Sequence, residues 1–457
     1  MVRPLLPFEA QAGAKDVLSL TAPNKITLPQ RGPGGGAPGE SYAFSFDRVY
    51  RADGRAAGAA LDEEMIRNVL ERFCQGFNGT ILAYGQTGSG KTYTMGTAAA
   101  AKDSSPLSAG AGARGAAAGG ASGRGGGGGG GVVPRAVARL FEYLDHAAAL
   151  YDTSLRATYV EIYNEAVQDL LAPAGPPAAA SYSSSSGGGS GGGGGSSSGG
   201  GGGVAIREGP GGEILLDGAC EAAVATRSDV AALLARGAER RATGAHRLND
   251  ASSRSHAVLT LTLEQRARPG GAGAGVPRAL RFLRSKLSLV DLAGSERAKQ
   301  TGTTGARFQE GVSINSGLLA LGNVITALSE AQRGGGGRGG GGAAARRHVP
   351  YRDSKLTRLL QDGLGGNSET LFIACVSPAD ASHEHTVGTL RYASRAMLIS
   401  NSLQLNNAQT PEQEAAFLRS ALEASQAEAA ALRAEVAALQ AENAALRARG
   451  GGSGGGG

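Results

Sequence analysis

Apolar runs alternate with amphipathic segments along most of the chain before Asn407. Short runs rich in Ile, Leu and Val predict buried strands, and apolar positions three and four apart predict helices. The predicted strands are Thr80–Tyr84, Leu155–Tyr163, Ala257–Glu264, Leu287–Asp291 and Thr370–Val376. The predicted helices are Leu61–Phe77, Pro134–Leu144, Ser228–Arg241, Ile314–Leu328 and Lys355–Leu364. This alternation favours an α/β domain whose central sheet carries helices on both faces.

After Asn407 the pattern changes to a heptad repeat. Two interleaved sets recur every seven residues: Leu418, Ser425, Leu432, Leu439 and Leu446, and Leu422, Ala429, Val436 and Asn443. This spacing places both sets along one seam of a helix, which predicts a coiled coil. Asn443 lies in the a set, where Asn favours a parallel, in-register dimer. The alternative is a single Ala-rich surface helix, because Ser425 and Ala429 weaken the seam.

Glycine-rich segments interrupt the α/β pattern near residues 97–131, 172–203, 268–276 and 333–347. A further Gly-rich segment, 450–457, ends the chain. Gly and Ser runs behave as flexible coil, so we interpret the first group as loop insertions and the last as a disordered tail. The remainder of the 457 residues fits one large domain.

Charge and cysteine content narrow the partners and the cellular compartments that are possible. The net charge of +6 permits an acidic partner without identifying it. Cys74, Cys220 and Cys375 are odd in number and widely spaced, which argues against a disulfide framework or a metal site and favours a reducing compartment. No apolar run approaches the length of about 18 residues that crosses a membrane, and the start lacks a signal-peptide pattern. We therefore expect a cytoplasmic protein without a membrane partner.

A glycine-rich loop directly follows the predicted strand Thr80–Tyr84. It matches the phosphate-binding pattern G-x-x-x-x-G-K-[ST] at each fixed position. Its residues are Gly85, Gln86, Thr87, Gly88, Ser89, Gly90, Lys91 and Thr92. The glycines let backbone N–H groups reach phosphate oxygens, Lys91 supplies a charge for the β- and γ-phosphates, and the Thr92 hydroxyl suits Mg²⁺. The loop predicts a nucleoside triphosphate site.

Two later segments, Asn249–His256 and Asp291–Glu296, carry the groups that a γ-phosphate sensor needs, and we call them the first and the second switch. Residues Asn249–His256 concentrate hydroxyls, a guanidinium and an imidazole just before a predicted strand. Asp291 ends another strand, where it can hold Mg²⁺ through water. Gly294 follows three residues later and can bring its N–H close to a γ-phosphate. Taken together with the loop, these segments indicate one nucleotide site.

In this order, the three segments resemble those of the kinesin motor family. Asn249–His256 matches N-x-x-S-S-R-S-H, and Asp291–Glu296 matches D-L-A-G-S-E. Further matching segments are 131–135, 161–165, 314–325, 349–360 and 389–393, so the resemblance covers about residues 2–406. In detail, the chain is most similar to the chromokinesin, or kinesin-four, group. The resemblance implies a P-loop NTPase motor domain over 1–398, with a central, mostly parallel sheet flanked by helices. It also implies a neck linker at 399–409 and a short coiled coil at 410–449.

The resemblance implies ATP and Mg²⁺ as the ligands of the site. Thr92 and Ser253 would ligate Mg²⁺ directly, with Asp291 in the outer shell. Arg3, Pro4 and Tyr93 would frame the adenine, Tyr93 by stacking.

Residues for hydrolysis follow from the same resemblance. Asn249 and Ser252 would hold the attacking water and the γ-phosphate, which the N–H of Gly294 would sense. Arg254 and Glu296 would form an ion pair that closes the site, a role that suits the directional geometry of an Arg–carboxylate pair.

Kinesins bind microtubules, and the acidic surface of tubulin suits the basic residues here. The residues that match the family's track-contacting loop and helix are Tyr351, Arg352, Lys355 and Arg358, and further candidates after the second switch are Lys299 and Arg307. The arginines of the insertion 333–347 either contact tubulin tails or belong to a solvated Gly expansion. The implied location is the microtubule cytoskeleton. Cargo is not indicated, and nothing in the chain supports a nucleic-acid partner.

Two features depart from the family pattern. Only Met1 and Val2 precede Arg3, where family members carry a cover strand and most of the first sheet strand. We expect a truncated start, because a missing strand would expose backbone groups of its neighbour. The linker at Ile399–Asn406 is less basic than usual, although it keeps the terminal Asn406.

Three functions follow from the sequence. The leading one is an ATP-hydrolysing motor that moves along microtubules, with plus-end direction expected from an N-terminal motor domain. The second is a non-motile microtubule scaffold or end regulator with slow ATP hydrolysis. The third is a P-loop ATPase or GTPase unrelated to the cytoskeleton, which would require the match at 351–360 to be accidental.

Overall fold

A computed structural model describes ten segments of the chain. These are residues 1–30, 41–51, 65–97, 131–173, 203–209, 212–245, 251–296, 306–334, 348–407 and 410–450. Most of the predicted Gly-rich insertions and the tail 450–457 lie outside them.

The described segments form ten helices and twelve strands. The helices are α1 (Pro7–Gln11), α2 (Arg67–Cys74), α3 (Lys91–Met95), α4 (Val132–Ala147), α5 (Arg227–Ala245), α6 (Ala251–Arg254), α7 (Ala306–Gly334), α8 (Lys355–Leu359), α9 (His383–Ala396) and α10 (Pro411–Gly450). The strands are β1 (Ser19–Ala22), β2 (Lys25–Pro29), β3 (Ser41–Ser45), β4 (Gly79–Tyr84), β5 (Tyr151–Tyr163), β6 (Ala166–Asp169), β7 (Ala205–Glu208), β8 (Ile214–Asp217), β9 (Ala222–Ala223), β10 (His256–Ala267), β11 (Phe282–Asp291) and β12 (Glu369–Ala374). Each predicted strand is confirmed in type, and so is each predicted helix over its described residues; residues 61–64 of the helix predicted at Leu61–Phe77 lie outside the described segments. The helix predicted to reach Leu364 ends at Leu359 and continues as turns.

The central sheet has the strand order β12–β4–β11–β10–β5–β6, with β9 beside β5. Strand β4 is parallel to both β11 and β12. The other pairs are antiparallel. The sheet is therefore mixed, and the prediction of a mostly parallel sheet was wrong. The connection between β10 and β11, residues 268–281, contains no α-helix that would carry the chain across the sheet, and β11 returns beside β10 in antiparallel fashion.

Alternate residues of β4 face two separate apolar clusters. All six residues of this strand are buried. Ile81 and Ala83 pack with apolar residues of α2, α4 and α5. Leu82 and Tyr84 pack with those of α7, α8 and α9, where the Tyr84 ring stacks on Tyr392 at 4.2 Å between centroids. Helices therefore cover both faces, as parallel central strands require.

Two smaller sheets flank this core. Strands β1, β2 and β3 form an antiparallel sheet that packs through Ile26 and Leu28 on Val387 and Leu390 of α9. Strands β7 and β8 form a hairpin beside α8.

The first residues complete the edge of the central sheet next to β12. Val2 is fully buried, and its N–H donates to Tyr50 O at 2.7 Å. Val376 donates to Met1 O at 3.0 Å and accepts from the N–H of Arg3 at 3.2 Å. At these positions the backbone groups are paired, so the exposure expected from the short start does not arise here.

The linker segment 399–407 is docked on the sheet. The N–H of Asn406 donates to Gly76 O at 3.0 Å, and Asn406 O accepts from the N–H of Arg284 at 3.0 Å. Its side-chain amide bonds both Asn78 and Asn367 at 2.9 Å. Asn406 thus joins the linker to three parts of the core.

The ends of one insertion meet at a single point. A Cβ placed on Gly96 would lie 2.6 Å from the backbone N of Gly131. Residues 98–130 therefore leave and rejoin the described structure at adjoining positions.

Among the described residues, no helix combines the length and the hydropathy that crossing a bilayer would need.

The close contact of α5 with the sheet generates a stability prediction. A Cβ at Gly237 would lie 2.1 Å from Cε1 of Tyr159, whose side chain is fully enclosed. We expect Gly237→Ala to lower the free energy of unfolding by about 1–3 kcal/mol, because the buried ring must shift. The matched control is Gly388→Ala in α9, where a Cβ meets no atom within 4 Å. That control should be neutral or more stable by up to about 1 kcal/mol, since Ala favours helix over Gly. Urea denaturation of both variants tests this, and equal effects would contradict it.

Candidate functional site

The phosphate loop forms at the carboxyl end of β4 because its glycines adopt backbone angles that other residues avoid. Gly88 has φ +76° and Gly90 has φ +100°, both in the left-handed region. A Cβ on Gly85 would lie 2.1 Å from Cys375 O, so the loop can pass β12 only with glycine at that position. The loop curls over the end of the sheet and leads directly into α3.

Lys91 is held inside this loop. Its Nζ donates to Gly85 O at 2.9 Å and to Gln86 O at 3.0 Å. Burial lowers the pKa of Lys91, and the nearby carboxylates of Asp291 and Glu296 oppose that effect. Phosphate oxygens are stronger acceptors than these carbonyls, so the ammonium is placed to bind an incoming phosphate.

Thr92 and Asp291 meet where β4 and β11 end. The Thr92 hydroxyl donates to Asp291 Oδ2 at 2.8 Å. Asp291 Oδ1 is buried and has no hydrogen-bond partner among the described residues. Burial raises the pKa of Asp291, and the bond from Thr92 opposes that rise. A hydroxyl beside a carboxylate with one unused oxygen is the donor set that suits Mg²⁺, which keeps waters and binds phosphate oxygens as well. The residues present therefore fit Mg²⁺.

The two predicted switch segments contact each other and the phosphate loop. The N–H of Gly294 donates to Ser253 O at 2.8 Å, and the N–H of Ser295 donates to Gly85 O at 3.1 Å. The Glu296 carboxylate accepts from the N–H of Thr87 at 2.9 Å and also from the Thr87 hydroxyl. In this state Gly294 bonds a backbone carbonyl, and Glu296 bonds the loop.

Some predicted residues cannot be placed. Asn249 and Lys299 lie outside the described residues, and for Ser252 and Arg307 only the helical backbone is described. Their roles stay predictions. The ion pair expected between Arg254 and Glu296 also stays a prediction, since the contacts described for Glu296 are those to Thr87.

The predicted adenine side is built on Arg3. Its guanidinium donates to Gly88 O at 2.7 Å through Nε and makes a paired contact with the Glu9 carboxylate. The hydrogen bond from Arg3 lowers the pKa of Glu9. Pro4 is exposed beside it, and Tyr93 is 84% exposed, so its ring is open to stacking. Sequence analysis did not identify Glu9 as the residue that orients Arg3.

Buried polar residues behind the switches were also not predicted. Arg241 of α5 donates to Glu161 at 3.2 Å and to the Ser255 hydroxyl at 3.1 Å. His256 Nδ1 accepts from the N–H of Ala293 at 3.0 Å. This bond joins the first switch, which ends at His256, to the second switch, which contains Ala293. Burial, together with the charges of Arg241 and Lys91, lowers the pKa of His256 to about 3. His256 is therefore neutral, with its Nδ1 free to accept.

Four of the predicted track residues, Tyr351, Arg352, Lys355 and Arg358, lie in α8 or in the turn just before it. Arg352 and Lys355 are exposed, whereas Tyr351 is partly buried and its hydroxyl bonds Leu364 O. Arg352 and Arg358 both approach the Glu208 carboxylate of β7, at 3.7 and 3.6 Å. An acid thus lies within the basic surface, and the sequence did not indicate this.

A second acid holds α8 in place. Glu165 lies in the tight turn between β5 and β6, where Asn164 and Glu165 both have positive φ. Its carboxylate accepts from the Ser354 hydroxyl at 2.8 Å and from the N–H of Lys355 at 2.7 Å. These bonds fill donors at the start of α8 and fix the helix relative to the sheet.

A family model described as the kinesin motor domain matches residues 1–399. The chain belongs to the kinesin family. The kinesin-like protein KIN-4A of Oryza sativa subsp. japonica is 43% identical over 432 residues, which cover 93% of this chain and 37% of that protein. KIF7 of Homo sapiens is 39% identical over 421 residues, or 91% of this chain and 26% of KIF7. These relatives support the resemblance to the kinesin-four group.

Solved kinesin structures share the fold. A fast kinesin matches with a TM-score of 0.66 and 30% identity, over 90% of this chain and 94% of that one. A KIF14 dimer in complex with a microtubule and AMP-PNP matches with a TM-score of 0.67 and 32% identity, over 90% and 96%. The chain spans well under half the length of the curated relatives it matches.

The neutral state of His256 generates a pH prediction. As the pH falls from about 6.5 towards 3, the unfolded chain protonates this side chain while the folded protein does not. The free energy of unfolding should therefore fall by about 1.4 kcal/mol per pH unit from this group alone. His256→Asn should remove that part of the slope, because Asn can accept from Ala293 but does not titrate. The control is His146→Asn at an exposed site of α4, which should keep the slope. Urea denaturation from pH 7 to pH 4 measures both, and parallel curves for the His256→Asn variant and the unchanged protein would contradict the prediction.

Proposed function

We propose that this chain is a motor that hydrolyses ATP to ADP and phosphate and moves along microtubules, with hydrolysis stimulated by the track. One observation carries the proposal: in a domain of the kinesin family, the phosphate loop lies together with two contacts beside it. These contacts are the hydrogen bond from Thr92 to Asp291 and the bond from the N–H of Gly294 to Ser253 O. The expected direction is towards the plus end. The setting that fits this activity is the microtubule cytoskeleton of the cytoplasm.

The proposed division of the chain follows the sequence. Residues 1–398 act as the motor domain, 399–409 as the neck linker and 410–449 as the coiled coil. The family match to residue 399 and the continuous helix α10 support this division.

Nucleotide binding is proposed to use the loop from Gly85 to Thr92. Lys91 moves from loop carbonyls to the β- and γ-phosphates, and the backbone N–H groups surround them. Thr92 and Ser253 would ligate Mg²⁺, with Asp291 accepting from its bound water. Mg²⁺ supplies neutralisation of phosphate charge there.

Tyr93 and Arg3 are proposed to bind the base. The exposed Tyr93 ring offers a face for adenine stacking, and Pro4 O accepts from the Arg3 guanidinium at 2.8 Å. Glu9 holds the Arg3 guanidinium against the loop through a paired contact. Arg3 therefore needs little reorganisation when nucleotide binds.

Hydrolysis is proposed to depend on exchange of two contacts. A γ-phosphate competes with Ser253 O for the N–H of Gly294, and Arg254 competes with Thr87 for the Glu296 carboxylate. Both exchanges pull the switch segments towards the loop and position Asn249 and Ser252 on the attacking water. Loss of phosphate reverses them, as in other nucleotide switches.

Track binding is proposed for the surface around α8, with Lys299 and Arg307 as further contacts. The KIF14 structure is that of a kinesin on a microtubule, and Tyr351–Arg358 matches the family's contact segment. Arg352, Lys355 and Arg358 supply positive charge for acidic tubulin.

A homodimer through α10 is proposed as the working form. The seam residues are exposed apolar side chains on a helix of 40 residues: Leu418, Leu422, Leu432, Val436, Leu439 and Leu446. An unpaired stripe of this length is stable in water when a second copy covers it.

Glu296→Ala tests the hydrolytic role. We expect ATP turnover to fall by about a hundredfold or more, because the proton path loses its ordering group. Binding of a fluorescent ATP analogue should persist, since Lys91 and the loop remain. The control is Glu71→Ala, which removes an exposed acid of α2. Equal ATPase rates in the Glu296→Ala variant and the unchanged protein would refute the role.

Charge changes around α8 test the track surface in both directions. Lys355→Ala combined with Arg358→Ala should raise the half-saturating microtubule concentration by about tenfold or more, because attraction to tubulin is lost. Glu208→Gln should lower it, because Arg352 and Arg358 lose an internal competitor. The matched control is Lys15→Ala with Lys25→Ala, two exposed lysines near the three-stranded sheet. Microtubule-stimulated ATPase assays measure each, and stimulation that survives the double change would exclude this surface.

A gliding assay separates the motor from the scaffold alternative. Surface-bound protein should move microtubules in ATP, and polarity-marked filaments report the direction. ATP-dependent tethering without movement would instead support the non-motile scaffold.

A further inference from the structure

The coiled-coil helix carries one aromatic residue, and it lies away from the seam. Phe417 occupies an outward heptad position, c, when the seam residues are a and d. The other c positions are Ala424, Ala431, Ala438 and Ala445. Position c faces solvent in a two-stranded coiled coil, so it does not call for a large apolar side chain. Phe417 must therefore serve a contact other than the coil.

Phe417 packs on the motor domain of the same chain. Only 7% of its surface is exposed. Its ring meets the Phe282 ring edge-on, with 6.4 Å between centroids and 76° between planes. The Arg281 guanidinium lies over the Phe417 ring, 4.6 Å from its centroid. Edge-on aromatic pairs and cation–π contacts each add to the free energy of apolar burial.

Neighbouring turns of α10 extend this contact. Arg278 pairs with the Glu414 carboxylate one turn before Phe417. Ala421 packs on the same cluster, which also contains Ala267 and Val276. One turn later, the Ala424 methyl lies 3.4 Å from the position of a Cβ on Gly270. The docking surface thus consists of the connection between β10 and β11, which includes the Gly-rich insertion 268–276.

The linker and this contact form one continuous attachment. Arg284, two residues after Phe282 on β11, donates its N–H to Asn406 O. Further along the chain, Phe417 packs on Phe282 at the start of the same strand, and Glu414 pairs with Arg278 just before it. Release of Asn406 would remove the anchor that places α10 beside Phe282.

Docking uses a side of α10 that a partner helix would also cover. Glu414 and Ala421 occupy g positions, which flank the seam. In a parallel dimer, a Glu at g faces the residue five positions later on the other helix, which is the partner's Arg419. Glu414 can pair with Arg278 of its own motor domain or with the partner's Arg419, but not with both in full.

The seam is weak where docking occurs. Ala415 and Ser425 stand at seam positions in the first two heptads, and Ala429 follows. Later positions hold Leu432, Val436 and Leu439. Since small or polar seam residues contribute little to pairing, the first turns can separate while the later turns stay paired.

We propose that the β10–β11 connection is a docking surface for residues 411–424 of the same chain, and that docking competes with coiled-coil pairing of those turns. When the linker is docked, the helix start lies on its own motor domain and the coil begins near Ser425. When the linker releases, the first turns pair across the dimer. The competition rests on the proposed homodimer, whereas the docking itself does not.

A disulfide tests the docking geometry. Gly270→Cys with Ala424→Cys places two Cβ atoms about as far apart as in a disulfide. The background carries Cys220→Ser, because Cys220 is the partly exposed native thiol. Mild oxidation should close a bond within one chain, detected by mass spectrometry. The matched control, Gly270→Cys with Ala431→Cys, uses the next c position and should not close. A bond between two chains, or equal closure in both variants, would overturn the proposal.

Sedimentation of the cross-linked protein tests the competition. We expect the oxidised protein to dimerise about tenfold more weakly than the reduced one, because one flank of the first heptads is withheld. Arg278→Glu, an exposed change that repels Glu414, should tighten dimerisation by about threefold without any cross-link. Equal dissociation constants in the oxidised and reduced states would overturn the competition. A reduced protein that stays monomeric would overturn the homodimer and the competition together, while the disulfide result would still decide the docking.

Discussion

The parallel pairing of β4 with β11 is the constraint on which the site depends. Its register sets Asp291 opposite Ala83, so both strands end at one edge of the sheet. The phosphate loop starts at this edge, and the hydroxyl of its last residue, Thr92, donates to Asp291 at 2.8 Å. Because a one-residue slip would turn Asp291 to the other face, the apolar contacts that fix this register also fix the position of Asp291 beside Thr92, the pair proposed to serve Mg²⁺.

The antiparallel strands extend the same constraint to the switches. β10 runs back along β11, and Ala257 stands opposite Asp291. The first switch therefore ends where the second begins, which brings Ser253 to Gly294 and His256 to Ala293. At the turn between β5 and β6, Glu165 contacts α8 and holds its first residues. One sheet thus positions both the groups of the nucleotide site and the basic surface around α8.

The sequence was sufficient for features that local spacing encodes. The strand before the phosphate loop and the loop itself follow from short motifs, and so does the assignment of Thr92 and Asp291 to one site. Contacts between distant segments could not be read in this way. Nothing in the local pattern near Glu9, Glu208 or Glu165 indicates the positively charged or helical partner that each one meets in the fold. The direction of β10 was likewise hidden, because strand spacing gives no sign of whether the connection returns or crosses over. The partner of Phe417 on β11 likewise required the folded chain.

The meeting of Gly96 and Gly131 bears on how this chain tolerates extra length. A segment whose two ends adjoin adds nothing to the separation that the rest of the fold must span. The entropy of closing such a segment grows only with the logarithm of its length, by about 0.6 kcal/mol for each doubling. Residues can therefore accumulate between these two glycines at small cost to the stability of the rest of the fold. The stretch between Gly96 and Gly131 is therefore a place where insertions can lengthen the sequence during evolution without changing the structure beside it.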